Sequence, residues 1–184
     1  MMFIQTEETP NPATLKFLLG RILMEEGTKE FKSKEEAIQS PLALKLFEKE
    51  GITRVFFGSD FITVSKTDVF EWAVLKPAIL GAIMEHFVSK KPLFCGETSK
   101  TAEMPEDEPI VGEIKEILDT RIRPAVAMDG GDIVFDRFED GVLYVHLQGA
   151  CSGCPSSSVT LKNGIENMLR HYVPEVLEVR AVDL

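Results

Sequence analysis

Two thiols, Cys151 and Cys154, stand two residues apart in the run Gly149-Ala150-Cys151-Ser152-Gly153-Cys154-Pro155-Ser156-Ser157-Ser158. The segment falls between an alternating, strand-like stretch, Val142 to Gln148, and a helical pattern from about Ser156 to His171. Unpaired N–H groups at a helix start favour negative charge, so either cysteine is expected to ionise near neutral pH and to serve as nucleophile or metal ligand. Gly149 and Gly153 let the chain fold tightly and a bulky ligand approach the backbone. Pro155 suits the first turn of a helix, where its missing N–H costs nothing. Two inert cysteines in a turn are the bland alternative. It leaves unexplained why two of the three cysteines in 184 residues occupy one reactive geometry.

Ligand counting narrows the chemistry. A four-iron cluster takes four thiolates, and a structural zinc takes four Cys or His ligands. The third cysteine, Cys95, lies far away in sequence, so one chain cannot supply four. Two chains related by a twofold axis, each giving Cys151 and Cys154, solve the count most simply. Zinc would have to recruit His146 or His171. His146 sits in an alternating strand and His171 at a helix C-terminus, where a cation complements the dipole, so each has a structural role. Cys95 is expected to be a partly buried structural thiol. A dithiol at a helix start also suits a thiol–disulfide oxidoreductase. Here, however, it follows a hairpin rather than a first βαβ crossover. Three classes therefore stand: a cluster carrier, an oxidoreductase using Cys151 and Cys154, and a zinc-binding interaction module.

Asp129-Gly130-Gly131-Asp132, followed by a hairpin and then Cys151-Ser152-Gly153-Cys154-Pro155-Ser156-Ser157, resembles the C-terminal domain of NifU and the Nfu-type iron–sulfur cluster carriers. The run from Met2 to Phe17, with Thr9-Pro10-Asn11-Pro12-Ala13-Thr14 at its centre, resembles the additional N-terminal domain of Nfu proteins. Together the two likenesses span essentially the whole chain. The resemblance implies that Cys151 and Cys154 bind a [4Fe-4S] cluster, one per homodimer, with [2Fe-2S] as the alternative. It further implies transfer to apoprotein acceptors and no enzymatic or catalytic residues; loading by an upstream scaffold and de novo assembly both stand.

Composition sets the outer bounds. Hydrophobic residues make up 44% and charged residues 27%, which is ordinary for globular chains. The most apolar stretch, Trp72 to Met84, is interrupted by Lys76-Pro77 and falls short of the ~20 residues that span a bilayer. No secretory signal or Arg- and Ser-rich transit segment is recognisable. Unpaired cysteines without a secretion signal indicate a reducing compartment, with bacterial cytoplasm the first choice and a mature mitochondrial matrix protein equally compatible. The net charge of -10 is uneven: residues 109–184 carry 12 acidic and 7 basic side chains, a net of -5. That balance argues against nucleic acid as a partner, since phosphates attract Lys and Arg clusters.

The elements that position the cysteines follow from periodicity and punctuation. The expected fold is α/β in the α+β sense, two small two-layer domains. Residues 1–95 form the first, 96–108 a flexible acidic linker, and 109–184 the cysteine domain. In the first domain, strands are expected at Met2–Thr6, Leu15–Leu19, Ile52–Phe57 and Phe61–Ser65, with turns at Pro10-Asn11-Pro12 and Gly58-Ser59-Asp60. Ser33 with Glu36 matches a capping box, and Ser40-Pro41 opens a second short helix stopped by Gly51. A long helix from about Asp68 carries Phe70, Val74, Ile79, Ile83 and Phe87 inward, with Pro77 as a potential kink and Trp72 as packing. The cysteine domain reads helix, strand, strand, helix, strand. Ile110, Ile114, Ile117, Leu118 and Ile122 form a stripe ending before Pro124. A hairpin over Ile133–Phe138 and Val142–Gln148 turns at Glu139-Asp140-Gly141. Val159, Leu161, Ile165, Met168 and Leu169 face inward on the second helix, and Val176–Val182 closes the sheet. Asp129-Gly130-Gly131-Asp132 is expected to be a tight turn with local aspartate hydrogen bonds, and its functional alternative places it beside the cysteines.

Overall fold

A computed structural model describes residues 3–95, 109–152 and 155–182, with the backbone alone at 155–158. The expected linker, residues 96–108, and Cys154 lie outside the described residues. Strands and helices mix in both of two compact units, residues 1–101 and 102–184, in keeping with the α+β expectation.

The first unit pairs five antiparallel strands in the order β1-β2-β5-β4-β3: β1 (Gln5–Glu8), β2 (Thr14–Leu18), β3 (Lys29–Phe31), β4 (Ile52–Phe57) and β5 (Phe61–Lys66). Alternation decides which face is buried. Leu15 and Phe17 of β2, Val55 and Phe57 of β4, and Ile62 and Val64 of β5 are direct cross-strand neighbours and all enter one core. Helices α1 (Lys34–Ala37), α2 (Pro41–Phe47) and α3 (Trp72–Val88) add their apolar sides to that core. Ser33 caps α1 by accepting from the Glu36 N–H, while the Glu36 carboxylate accepts from Lys32 N, one residue earlier than the usual capping box. Ser40, fully buried, caps α2 by accepting from Ala43 N at 3.3 Å and donates to the Leu93 carbonyl at 2.6 Å. Trp72 packs against the core as expected, and its indole N–H donates to Pro12 O.

Three expectations need correction here. β1 begins at Gln5 rather than Met2, because the Asn11 turn, closed by Thr14 N donating to Asn11 O, sets Glu8 opposite Leu15. β3 escaped notice, as three residues are too few to show a period. The long helix starts at Trp72: Phe70 is instead held over Gly51 (φ +91), where a Cβ would lie 2.3 Å from its ring. The inner face of α3 is consequently Leu75, Ile79, Ala82, Ile83 and His86, and Val74 is exposed.

In the second unit a helical arm leads into a three-stranded sheet. The arm comprises α4 (Pro109–Ile117), a π turn (Leu118–Ile122) and α5 (Arg123–Met128). It therefore runs through Pro124 rather than ending before it. Buried Ile114, Leu118, Ile122 and Val126 recur every fourth residue. That spacing drifts by about 40° per step around a regular α-helix, and one wider turn takes up the drift. Within the wide turn the Thr120 hydroxyl donates to the Glu116 carbonyl. Strands β6 (Gly131–Glu139) and β7 (Val142–Gly149) form an antiparallel hairpin whose corner, Asp140 (φ 49) and Gly141 (φ 77), has the two positive φ values of a tight twisted turn. Helix α6 (Pro155–Tyr172) crosses over to β8 (Glu178–Ala181), which pairs parallel to β7. Leu161, Ile165 and Leu169 face the core from α6, whereas Val159 and Met168 are exposed, against expectation. Among the described residues no helix is long and apolar enough to cross a membrane.

Replacing Ser40 by Ala removes the cap of α2 and leaves the Leu93 carbonyl without its donor. We expect a loss of about 2 kcal/mol from the first unit, read as a shift in its urea unfolding midpoint.

Candidate metal centre

Where β7 ends, Gly149 takes φ +64 and the chain turns sharply, with Ser152 N donating to Gly149 O at 3.2 Å. Cys151 sits inside this turn. Opposite it lies the start of β6: Gly131 pairs with Gly149, and Ala150 N donates to Gly130 O at 3.1 Å. A Cβ at Gly131 would stand 2.5 Å from Cys151 Sγ and 2.8 Å from the Gln148 carbonyl. Only a residue without a side chain lets the two segments come this close. Gly130 (φ +82) makes the turn out of α5, with Asp129 N and Gly130 N donating to Val126 O and Ala127 O. The Asp129–Asp132 segment is thus both a turn and the wall against which Cys151 packs.

Asp132 anchors that wall. Its carboxylate is almost wholly buried and accepts from its neighbour Ile133 N at 2.8 Å, the local bond expected for it. It also receives a two-pronged pair from Arg123, Nε to Oδ1 at 2.9 Å and Nη2 to Oδ2 at 2.8 Å. Asp119, one turn back on the arm, holds the same guanidinium at 3.0 Å. Paired geometry of this kind fixes orientation as well as charge. Arg123 escaped sequence inspection because nothing local marks its partner nine residues on.

Cys151 is 5% exposed and belongs to the core of the second unit. Burial pushes its thiol up to about 12, and the carboxylates of Asp129 and Asp132 push the same way. The expectation of a readily ionised thiol at a helix start therefore fails for Cys151. It precedes α6 by four residues, and the loss of water outweighs any distant helix dipole. A metal binding there would first have to displace the thiol proton. Cys154 lies outside the described residues.

Cys95 is exposed rather than partly buried; its N–H donates to Gln39 O. His146 engages both ring nitrogens, Nδ1 with Val182 O at 3.0 Å and Nε2 with Asp136 Oδ1 at 3.1 Å. Asp136 occupies the bulge of β6, so the histidine ties that irregularity to the chain beyond β8. His171 lies exposed against Tyr172 at the end of α6. Among the described residues no three His, Cys, Asp or Glu side chains converge to hold a metal ion.

Residues 4–90 match the family model described as scaffold protein Nfu/NifU N-terminal, and residues 114–180 match the NifU-like domain. A human protein, the mitochondrial NFU1 iron–sulfur cluster scaffold homolog, is 52% identical over 183 residues, covering 98% of this chain and 72% of its own length. NifU-like protein 4, mitochondrial, from Arabidopsis thaliana is 52% identical over 181 residues, covering 95% of this chain and 64% of its own. The chain thus spans less than two thirds of that plant relative. The solution structure of a NifU-like protein from Saccharomyces cerevisiae aligns with a TM-score of 0.48 at 25% identity, over 53% of this chain and 87% of that one.

Two outcomes follow from the geometry of the wall. Arg123→Ala strands the buried Asp132 carboxylate and is expected to destabilise the second unit by about 3 kcal/mol in chemical unfolding. Iodoacetamide at neutral pH is expected to alkylate exposed Cys95 well before Cys151, as read by peptide mass spectrometry. Because the thiolate is the nucleophile, Cys151 labelling accelerates as pH rises toward 12. Equal labelling of the two at neutral pH would refute the buried placement.

Proposed function

The chain belongs to the Nfu/NifU iron–sulfur cluster scaffold family, and from that premise we propose that it carries one [4Fe-4S] cluster between two copies of itself. The ligands are Cys151 and Cys154 of each copy, and the cluster is cargo, handed on to apoprotein acceptors. The observation that carries this reading is the thiol count. Three cysteines per chain, one of them in the other unit, cannot complete a four-thiolate shell without a second chain.

The site's chemistry supports a carrier over the competing classes. A disulfide exchanger depends on an accessible thiolate of lowered pKa, whereas Cys151 is buried and its pKa is raised. A zinc module would recruit His146, whose two ring nitrogens already have partners, or His171, which lies at the far end of α6 from the cysteine turn. A thiol that is protonated until metal arrives suits a protein that must release its cargo, since reprotonation and reburial both favour the empty state. Residues 109–184 hold the cluster and residues 1–95 recognise acceptors or control release, joined by the acidic stretch 96–108. The compartment is a reducing one, a mitochondrial matrix or a bacterial cytoplasm.

Anaerobic reconstitution with iron and sulfide is expected to give a broad charge-transfer absorption near ~400 nm, typical of thiolate-bound clusters. Cys151→Ser is expected to abolish stable binding and Cys95→Ala to leave the yield unchanged. Gly131→Ala, which drives a methyl group into Cys151, is expected to lower the yield severalfold at a stability cost of about 1–3 kcal/mol. Full yield in Cys151→Ser, or iron loss in Cys95→Ala, would contradict the ligand assignment.

A further inference from the structure

The first unit contains a cavity of about 470 Å³ at the C-terminal end of α3, remote in sequence from Cys151 and Cys154. Arg21, Leu23, His86, Phe87, Lys90 and Lys91 are among its walls, and among the described residues that line it none is acidic. Its positive character stands out in a chain of net charge -10. The acid preceding His86, Glu85, is paired at 2.6 Å with Lys45; it also feels Lys91 and offsets part of the cavity's charge.

Several details set these cations in place. The Arg21 guanidinium lies 4.7 Å from the Phe87 ring centroid, a cation–π contact that holds it over the wall. The segment after Arg21 is pinned, since Leu23 N and Met24 N both donate to Ser59 O. Lys90 follows the helix cap Ser89 with φ +50. Helices usually end there with glycine, because side-chain-bearing residues are strained in that conformation. The chain keeps a lysine at this position, with its side chain on the cavity. His86 is buried, and its Nε2 has no hydrogen-bond partner. Burial, with Lys91 and Lys45 nearby, lowers its pKa, so the ring lines the cavity in its neutral form. The helix end contributes only about half a negative charge against three full cations, so an anion is favoured overall.

We propose that this cavity is a binding site for a small oxyanion of two or more negative charges, a polycarboxylate or a phosphate. Arg21, Lys90 and Lys91 supply the charge, and Leu23, Phe87 and the neutral His86 ring form the wall. The volume falls in the range of small-ligand pockets. Nothing in this assignment depends on the cluster, and the site is testable on cluster-free protein.

The test is isothermal titration of the full chain with citrate and, separately, with inorganic phosphate at low ionic strength. One site per chain is expected for at least one probe. Citrate alone identifies a carboxylate site and phosphate alone a phosphoryl site. Arg21→Gln and Lys91→Gln are each expected to weaken binding about tenfold, the loss of one charge-assisted bond. Lys90→Gly serves as the second control: it relieves the backbone and is expected to raise Tm while weakening binding by a similar factor. No binding of either probe, or affinity unchanged in all three variants, would overturn the proposal.

Discussion

Everything around the candidate centre depends on how closely β6 approaches the turn after β7. With 2.5 Å between an imagined Gly131 Cβ and Cys151 Sγ, there is no room for any side chain at that position. The approach is held from behind by the Arg123–Asp132 pair, which ties α5 to the first residues of β6. A half-buried ion pair contributes little net stability by itself, but breaking it is costly, because a carboxylate remains buried without its counter-charge. The pair therefore acts chiefly as a fixture: it sets the wall of the thiol pocket.

The same closeness explains the state of Cys151. A sulfur enclosed by Gly131, Ala150 and the apolar core has little water around it, and two aspartates stand nearby. Both effects favour the protonated thiol. For a resident metal this would be a poor design. For the proposed cargo it would set a balance between the sulfur bonds gained on binding and the packed core restored on release. The glycine at 149, in the left-handed region, makes the sharp turn that places Cys151 in this enclosure.

Much of this was legible from residue order. The hairpin over β6 and β7, the strands β4 and β5, and the serine caps at Ser33 and Ser40 all carry strong local signals, and each lies within a few residues of its expected place. What escaped was non-local. Arg123 meets Asp132 only because a helix folds back on a strand. The π turn is visible only as a four-residue spacing that helix rules read as slightly imperfect. Val74, Val159 and Met168 are apolar residues at helical spacing, yet tertiary packing turns them outward. The misjudged thiol arose from reasoning about the helix dipole without knowing the burial. The pairing of Cys151 with Cys154 itself rests on sequence, since Cys154 lies outside the described residues.

The central claim is that two chains share one cluster, and native mass spectrometry of the anaerobically reconstituted full chain tests it most directly. The account predicts a species of two chains plus one four-iron, four-sulfur unit, which falls back to single chains when the iron is chelated. A single chain carrying a complete four-iron cluster would contradict it.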